Sequence, residues 1–276
     1  MAKSIVALLI GKAIDEGKIK SLDQPVADFI PEFKEGEKTK ITIRHLMMMS
    51  SGLDWNEGYA SLTSQVTEAY YGTQLYKQVT SLGVAEAPGK FWEYKSCDTE
   101  LLAIIVNKAT GKSLAEYASE KLWKPLGAEH NAQWSLDQKD GIEKAYCCFY
   151  SNARDFARFG KLVLQHGRWN NEQIIDSAFI ALCTTPNNLP DKEDNKPAQH
   201  YKEDNKPAQH YGYQWWLSNI SNHPVYYMRG ILGQYVIVIP DMQMIIVRLG
   251  HKRSNNPDGK PNDYKFYAEQ VIKMYE

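Results

Sequence analysis

The sequence predicts an α+β fold, and three observations carry that prediction. Ile5-Val6-Ala7-Leu8-Leu9-Ile10, followed by Ala13 and Ile14, leaves no consistently polar face before Asp15, the pattern of a helix buried on all sides. Between residues 21 and 190, helical segments follow one another, punctuated by Gly and Pro. After residue 212 the character changes: Val225 to Met228, Tyr235 to Ile239 and Met244 to Leu249 are β-branched and aromatic runs, the last two joined by a turn at Pro240-Asp241. Helices in the middle and an antiparallel hairpin near the end argue for segregated layers rather than an alternating, doubly wound sheet. At 276 residues the chain can bury a full core, read here as one domain over 1–276. It divides into a mainly helical part over 21–190, a duplicated loop over 191–211, and a sheet with a C-terminal helix over 212–276.

Each element has a local signal. Gly17 stops the opening helix, and Leu22-Asp23-Gln24-Pro25-Val26 turns into a short helix ending near Pro31. Thr42 caps a helix through Met49 that Ser50-Ser51-Gly52 terminates, and its methionines read as core filler. Signals are mixed from Asp54 to Val84, with a helix predicted between Thr73 and Leu82. Pro88-Gly89-Lys90 is a turn, and Phe91 to Tyr94 a short extended piece. Asp98-Thr99-Glu100, followed by Leu101, Leu102, Ile104, Ile105 and Val106, opens a helix that Gly111 closes. Further helices run from Ser113 to Trp123, from Ser151 to His166 and from Asn262 to Tyr275.

Composition excludes several classes of function. With 32 basic and 33 acidic residues and no long basic run, the chain has no electrostatic footprint for nucleic acid or an anionic membrane. No apolar run approaches a bilayer span, and the Met1 segment lacks the marks of a signal peptide. The seven histidines are scattered, no His-Glu-x-x-His occurs, and the four cysteines form no Cys-x-x-Cys pair, so neither a metal nor any other cofactor is expected. Cys97, Cys147, Cys148 and Cys183 read as free thiols, Cys147 and Cys148 being adjacent and so poorly placed to bridge each other. Lys192 to Tyr201 and Lys202 to Tyr211 are the same ten residues, KEDNKPAQHY. Charge and proline in both copies predict a surface loop.

Lys3 is the most informative single residue. A lysine in the first turn of an apolar helix meets the positive end of the helix dipole and a desolvating environment, and both disfavour the ammonium form. A serine directly before Met1 would complete Ser-x-x-Lys, in which residues three apart on a helix share a face and the amine can take the hydroxyl proton. No second Ser-x-x-Lys and no Gly-x-Ser-x-Gly occurs.

Three stretches, in order, resemble the serine β-lactamase-like hydrolases, the superfamily of class C β-lactamases, penicillin-binding proteins, D-Ala-D-Ala peptidases and esterases. Ile41-Thr42-Ile43-Arg44-His45-Leu46 through Ser50-Ser51-Gly52-Leu53 is similar to its I-T-I-R-x-L-L-x-H-T-S-G-L segment, with Met49 and Ser50 in place of His and Thr. Pro125-Leu126-Gly127 resembles its P-L-G turn, and Ala153 to Gly160 its A-R-D-x-A-R-F-G helix. Tyr94 to Leu102, Pro125 to His130 and Gly233-Gln234-Tyr235 look closest to the nylon-oligomer (6-aminohexanoate-dimer) hydrolases.

The resemblance implies a β-lactamase/transpeptidase-like fold, an antiparallel sheet flanked by helices with a mainly helical subdomain, and it implies that strands and the nucleophilic serine precede Met1. It implies Lys3 as base, Tyr94 as proton relay, the Ile231 N–H as oxyanion donor, and Ser96, Arg229 and Gln234 as substrate-binding residues. The family's Lys-Thr-Gly is replaced by Met228-Arg229-Gly230, with Arg229 as a substitute cation, which favours small amides or esters over β-lactams. The expected activity is hydrolysis of an amide or ester through an acyl-serine in the complete form, with little turnover by the chain as written. The alternatives are a non-catalytic relative that binds a ligand or partner, and a β-lactamase or D-Ala-D-Ala peptidase.

Overall fold

The computed structural model describes residues 1–192, 209–252, 254 and 263–276. The opening helix α1 (Ala2–Asp15) is buried from Ala2 through Gly11 and again at Ala13, as its all-round apolarity predicts. Leu8, Leu9 and Ile10 are fully inaccessible, each contributing about 1.5–3 kcal/mol of hydrophobic stabilisation. A 3-10 turn at Val26–Asp28 stands where a short helix ending near Pro31 was expected, and two more follow at Pro31–Phe33 and Gly36–Lys40. Thr42 then caps α2 (Ile43–Met47) with a reciprocal bond to His45.

Helices α3 (Gln65–Tyr71) and α4 (Leu75–Thr80) occupy the mixed region. Helix α5 (Ser96–Thr110) packs against α1 and α2. After it come α6 (Leu114–Ala118), continued by a π turn at Ser119–Trp123, then α7 (Ala153–Leu164) and α8 (Ser177–Cys183). Two small ribbons lie among them, β1 (Gln133–Trp134) with β2 (Phe149–Tyr150), and β3 (Arg168–Trp169) with β4 (Glu172–Gln173).

The main sheet is an antiparallel meander of β5 (Trp216–Ile220), β6 (His223–Gly230), β7 (Gln234–Ile239) and β8 (Met244–Arg248), in that order. Along β7, Val236 and Val238 enter the main core, whereas Tyr235, Ile237 and Ile239 join Tyr264, Ala268 and Ile272 of the terminal helix α9 (Asp263–Tyr275). The period-2 alternation therefore supplies two cores, one on each face. Helices on one side, the sheet between and α9 on the other make the α+β layering predicted from the sequence.

The recurrent sequence segments act as fasteners. Asp155, fully buried at the start of α7, accepts from the Glu129 and His130 N–H groups, and Arg158 reaches the Leu126 carbonyl at 3.2 Å. The Ala-Arg-Asp helix thus binds the Pro-Leu-Gly turn. Ser51 donates to the buried carboxyl of Asp98 at 2.6 Å, locking the end of α2 to the start of α5. Gly52 beside it has φ 70°, and a Cβ there would lie 2.1 Å from the Glu86 carbonyl oxygen, so only glycine fits.

Two expectations are corrected. Cys147 and Cys148 form a disulfide, leaving Cys97 and Cys183 as free, buried thiols. Cys148 adopts a left-handed conformation, φ 58°, and so escapes the divergence of neighbouring side chains that made bridging look unfavourable. Most of the KEDNKPAQHY duplication lies outside the described residues, but the end of its second copy is not simple surface loop. Tyr211 is fully buried, and Trp92 meets both His210 and Tyr211 at ring-centroid distances of 4.7 and 5.4 Å.

Gly11 sets the spacing between α1 and α8, because a Cβ on it would lie 2.5 Å from the ring of Phe179. Gly11→Val is expected to destabilise the protein by about 2 kcal/mol or more. Urea unfolding measures this, and an unchanged midpoint would mean that α8 yields to the added side chain.

Candidate active site

Lys3 occupies the first turn of α1, where it is only 7% exposed. Its Nζ donates to Ser96 Oγ at 2.9 Å and to the Tyr146 carbonyl at 3.0 Å. The rings of Tyr94 and Tyr146 lie with centroids 5.1 and 5.3 Å from the same nitrogen. Burial strips the ammonium of water and pushes its pKa down to about 8, against the opposing influence of Glu57, Cys97, Glu100 and Asp98. An amine held this way is largely protonated at neutral pH yet releases its proton far more readily than a surface lysine.

Ser96 begins α5 and has no solvent exposure. Its hydroxyl accepts from Lys3 and donates to Glu57 Oε1 at 2.6 Å, while its N–H donates to Glu57 Oε2 at 2.8 Å. Ser96 therefore holds Lys3 in place, its own proton being committed to Glu57. Trp55 Nε1 and the Tyr59 hydroxyl donate to the same carboxyl, so Glu57 gathers donors from its own loop and from α5. Nearby, Lys95 pairs with Glu93 at 3.0 Å, and burial raises the Asp98 carboxyl to about 7.

Tyr94 stands beside Lys3, half-buried. Its ring is tilted against Trp216 at 5.4 Å and meets Tyr211 edge-on at 6.1 Å. The guanidinium of Arg229 lies over Trp216 at 4.9 Å, a cation–π contact that orients it. Through Trp216, Arg229 on β6 is thus joined to Tyr94 and Lys3.

The end of β6 also meets the start of α1 directly, since the Met1 nitrogen donates to the Arg229 carbonyl at 2.9 Å. A Cβ built on Gly230 would come within 3.2 Å of the Gln234 side chain and 3.6 Å of the Met1 nitrogen. Gln234 faces Gly230 in the β6–β7 register. Ile231 follows in the turn between these strands, its side chain 62% exposed.

The tertiary structure brings Lys3, Ser96 and Tyr94 together and places Arg229, Ile231 and Gln234 at the adjoining end of the sheet. It adds Glu57, Tyr146 and Trp216, which sequence reasoning missed. Glu57 lies in the stretch without clear periodicity, Tyr146 contributes its backbone carbonyl, and Trp216 belongs to a strand that was not predicted. Among the described residues no group of three or more His, Cys, Asp or Glu is placed to hold a metal ion, and no helix is long and apolar enough to cross a membrane.

The chain is 27% identical to the 6-aminohexanoate-dimer hydrolase of Paenarthrobacter ureafaciens over 260 residues, covering 90% of this chain and 64% of that one. It is 29% identical over 140 residues to esterase EstB of Burkholderia gladioli, covering 46% of this chain and 35% of the esterase. It thus spans less than two thirds of either relative. The solved structure of a provisionally named 6-aminohexanoate-dimer hydrolase from Bacillus anthracis superposes with a TM-score of 0.79 at 26% identity, covering 99% of this chain and 70% of that one. A penicillin-binding protein homologue from Pyrococcus abyssi shares the fold, with a TM-score of 0.67 at 20% identity over 99% of this chain and 64% of that one. The Beta-lactamase family model matches residues 1–266, and the chain belongs to that family.

Proposed function

We propose that this chain carries the proton-transfer and substrate-binding parts of a serine hydrolase that cleaves small amides or esters through an acyl-serine. The observation that carries the reading is the buried Lys3 amine, gripped by Ser96 and Tyr146 beside the Tyr94 ring. In this reading a serine one residue before Met1 shares the helix face of Lys3. Lys3 takes the serine proton as the oxygen attacks the substrate carbonyl, and Tyr94 delivers a proton to the departing amine or alkoxide. Water then releases the acyl group by the reverse route. The contact between the Met1 nitrogen and the Arg229 carbonyl supports the second half of the site, because it sets the β6–β7 turn beside the nucleophile position. There the Ile231 N–H and the nucleophile's own N–H form the oxyanion hole.

Arg229, oriented by Trp216, receives an anionic group on the substrate, and Gln234 offers an amide beside it. The relatives named for a 6-aminohexanoate dimer and for ester hydrolysis fit this substrate class. A chain extended so that a serine precedes Met1 is expected to hydrolyse p-nitrophenyl esters and to take up one equivalent of a serine-directed phosphonate, with the chain as written as reference. Penicillin should acylate it slowly. An extended, folded protein that forms no phosphonate adduct overturns the reading, and penicillin turnover faster than ester turnover overturns the substrate class.

A further inference from the structure

We propose that Glu100 is a positioning residue for Lys3, holding the backbone at Ala145 and Tyr146 so that the Tyr146 carbonyl stays on the Lys3 ammonium. Ser96 and Glu100 are four residues apart on α5 and so share one face of the helix. Ser96 contacts Lys3 directly. Glu100 Oε2 accepts the Ala145 N–H at 2.8 Å, and the neighbouring backbone of Tyr146 also favours the ionised carboxyl. The carbonyl of Tyr146 then accepts from Lys3. The two side chains of α5 thus grip one amine, one directly and the other through the Ala145–Tyr146 backbone.

An acid at this place needs a reason. Glu100 is 1% exposed, the next six residues of α5 are apolar and buried, and its Oε1 has no hydrogen-bond partner. A buried carboxyl half-satisfied in this way is costly to ionise, and burial pushes its pKa up to about 8, into the range of Lys3. Glu100 feels Glu143, which disfavours its ionisation, and Lys3, which favours it. Lys3 in turn faces Glu57, Cys97 and Asp98 as well as Glu100, with Tyr146 over it and the Met1 amine and Arg229 at the neighbouring strand end. Within this group Glu100 is the acid tied to Lys3 through the Ala145–Tyr146 backbone. As it ionises it strengthens the hold on the ammonium, so the two groups titrate as a pair.

The inference rests on Lys3 being the proton-transfer base, and its test separates the two ideas. In the full chain with 13C-labelled lysine, the Lys3 Cε resonance, assigned by its loss in Lys3→Met, should titrate near pH 8. A midpoint near that of free lysine removes the base itself. Glu100→Gln keeps an acceptor for the Ala145 N–H but removes the charge, so the Lys3 midpoint should fall by at least about half a pH unit while the melting temperature is retained. A folded Glu100→Gln protein with an unmoved Lys3 midpoint overturns the proposal. A measurement on the unaltered chain needs no variant: the Glu100 Cδ and Lys3 Cε resonances should each show the same two-step titration, and independent single-step curves overturn it equally.

Discussion

Replacing Lys3 by methionine in a chain that carries the serine is expected to lower the chemical step by at least about a hundredfold, the range for loss of a general base, while making the protein more stable at pH 7. The folded-state pKa of about 8 lies below the unfolded value of 10.5. The unfolded chain therefore binds more protons between those two values, and stability contributed by this site rises with pH across that window. Below about pH 8 the native state bears the full cost of burying an ammonium. Methionine removes that cost, on the order of 2 kcal/mol, reduced by the lost bond to the Tyr146 carbonyl. The rate of the unaltered site should correspondingly climb with pH through about 8 as Lys3 loses its proton. Urea melts at pH 7 and pH 10 and a pH–rate profile measure both effects. A Lys3→Met protein less stable than its parent at pH 7 would show that the ammonium is well solvated, contrary to its burial.

Tyr94→Phe is expected to cost a similar factor, about a hundredfold in kcat, with KM little changed. The ring would keep its packing on Trp216 and Tyr211 and its place over the Lys3 nitrogen, so only the hydroxyl is lost. Its effect should therefore appear in the chemical step and leave the fold intact. Single-turnover acylation by a p-nitrophenyl ester measures it directly. A near-normal rate would show that the leaving group takes its proton by another route.

The helical elements were legible where two signals coincided. Thr42 with its capping bond to His45, and Asp98-Thr99-Glu100 before an apolar run closed by Gly111, placed α2 and α5 within a few residues of their observed bounds. Helix α3 and strand β5 were missed. Gln65–Tyr71 buries only Val66 and Ala69, too few apolar positions to make a period, and Trp216–Ile220 follows a run of aromatics that obscures strand alternation. The Cys147–Cys148 bridge was misjudged because it depends on one backbone angle, φ 58° at Cys148, that no spacing rule encodes.

The sequence by itself determined that α1 is buried on every side and that its first turn carries an amine, because apolarity without a polar face leaves a helix nowhere to go but the core. It also determined the order of the segments that fasten α7 to the Pro-Leu-Gly turn and α2 to α5. Only the tertiary structure decided what surrounds Lys3. Ser96 lies 93 residues away and Tyr146 143 residues away, and Trp216 joins Arg229 to Tyr94. The depressed pKa of Lys3 belongs to that assembly, since desolvation is set by what packs over the amine, and residues so distant along the chain reach it only when α1, α5 and the sheet close on one another.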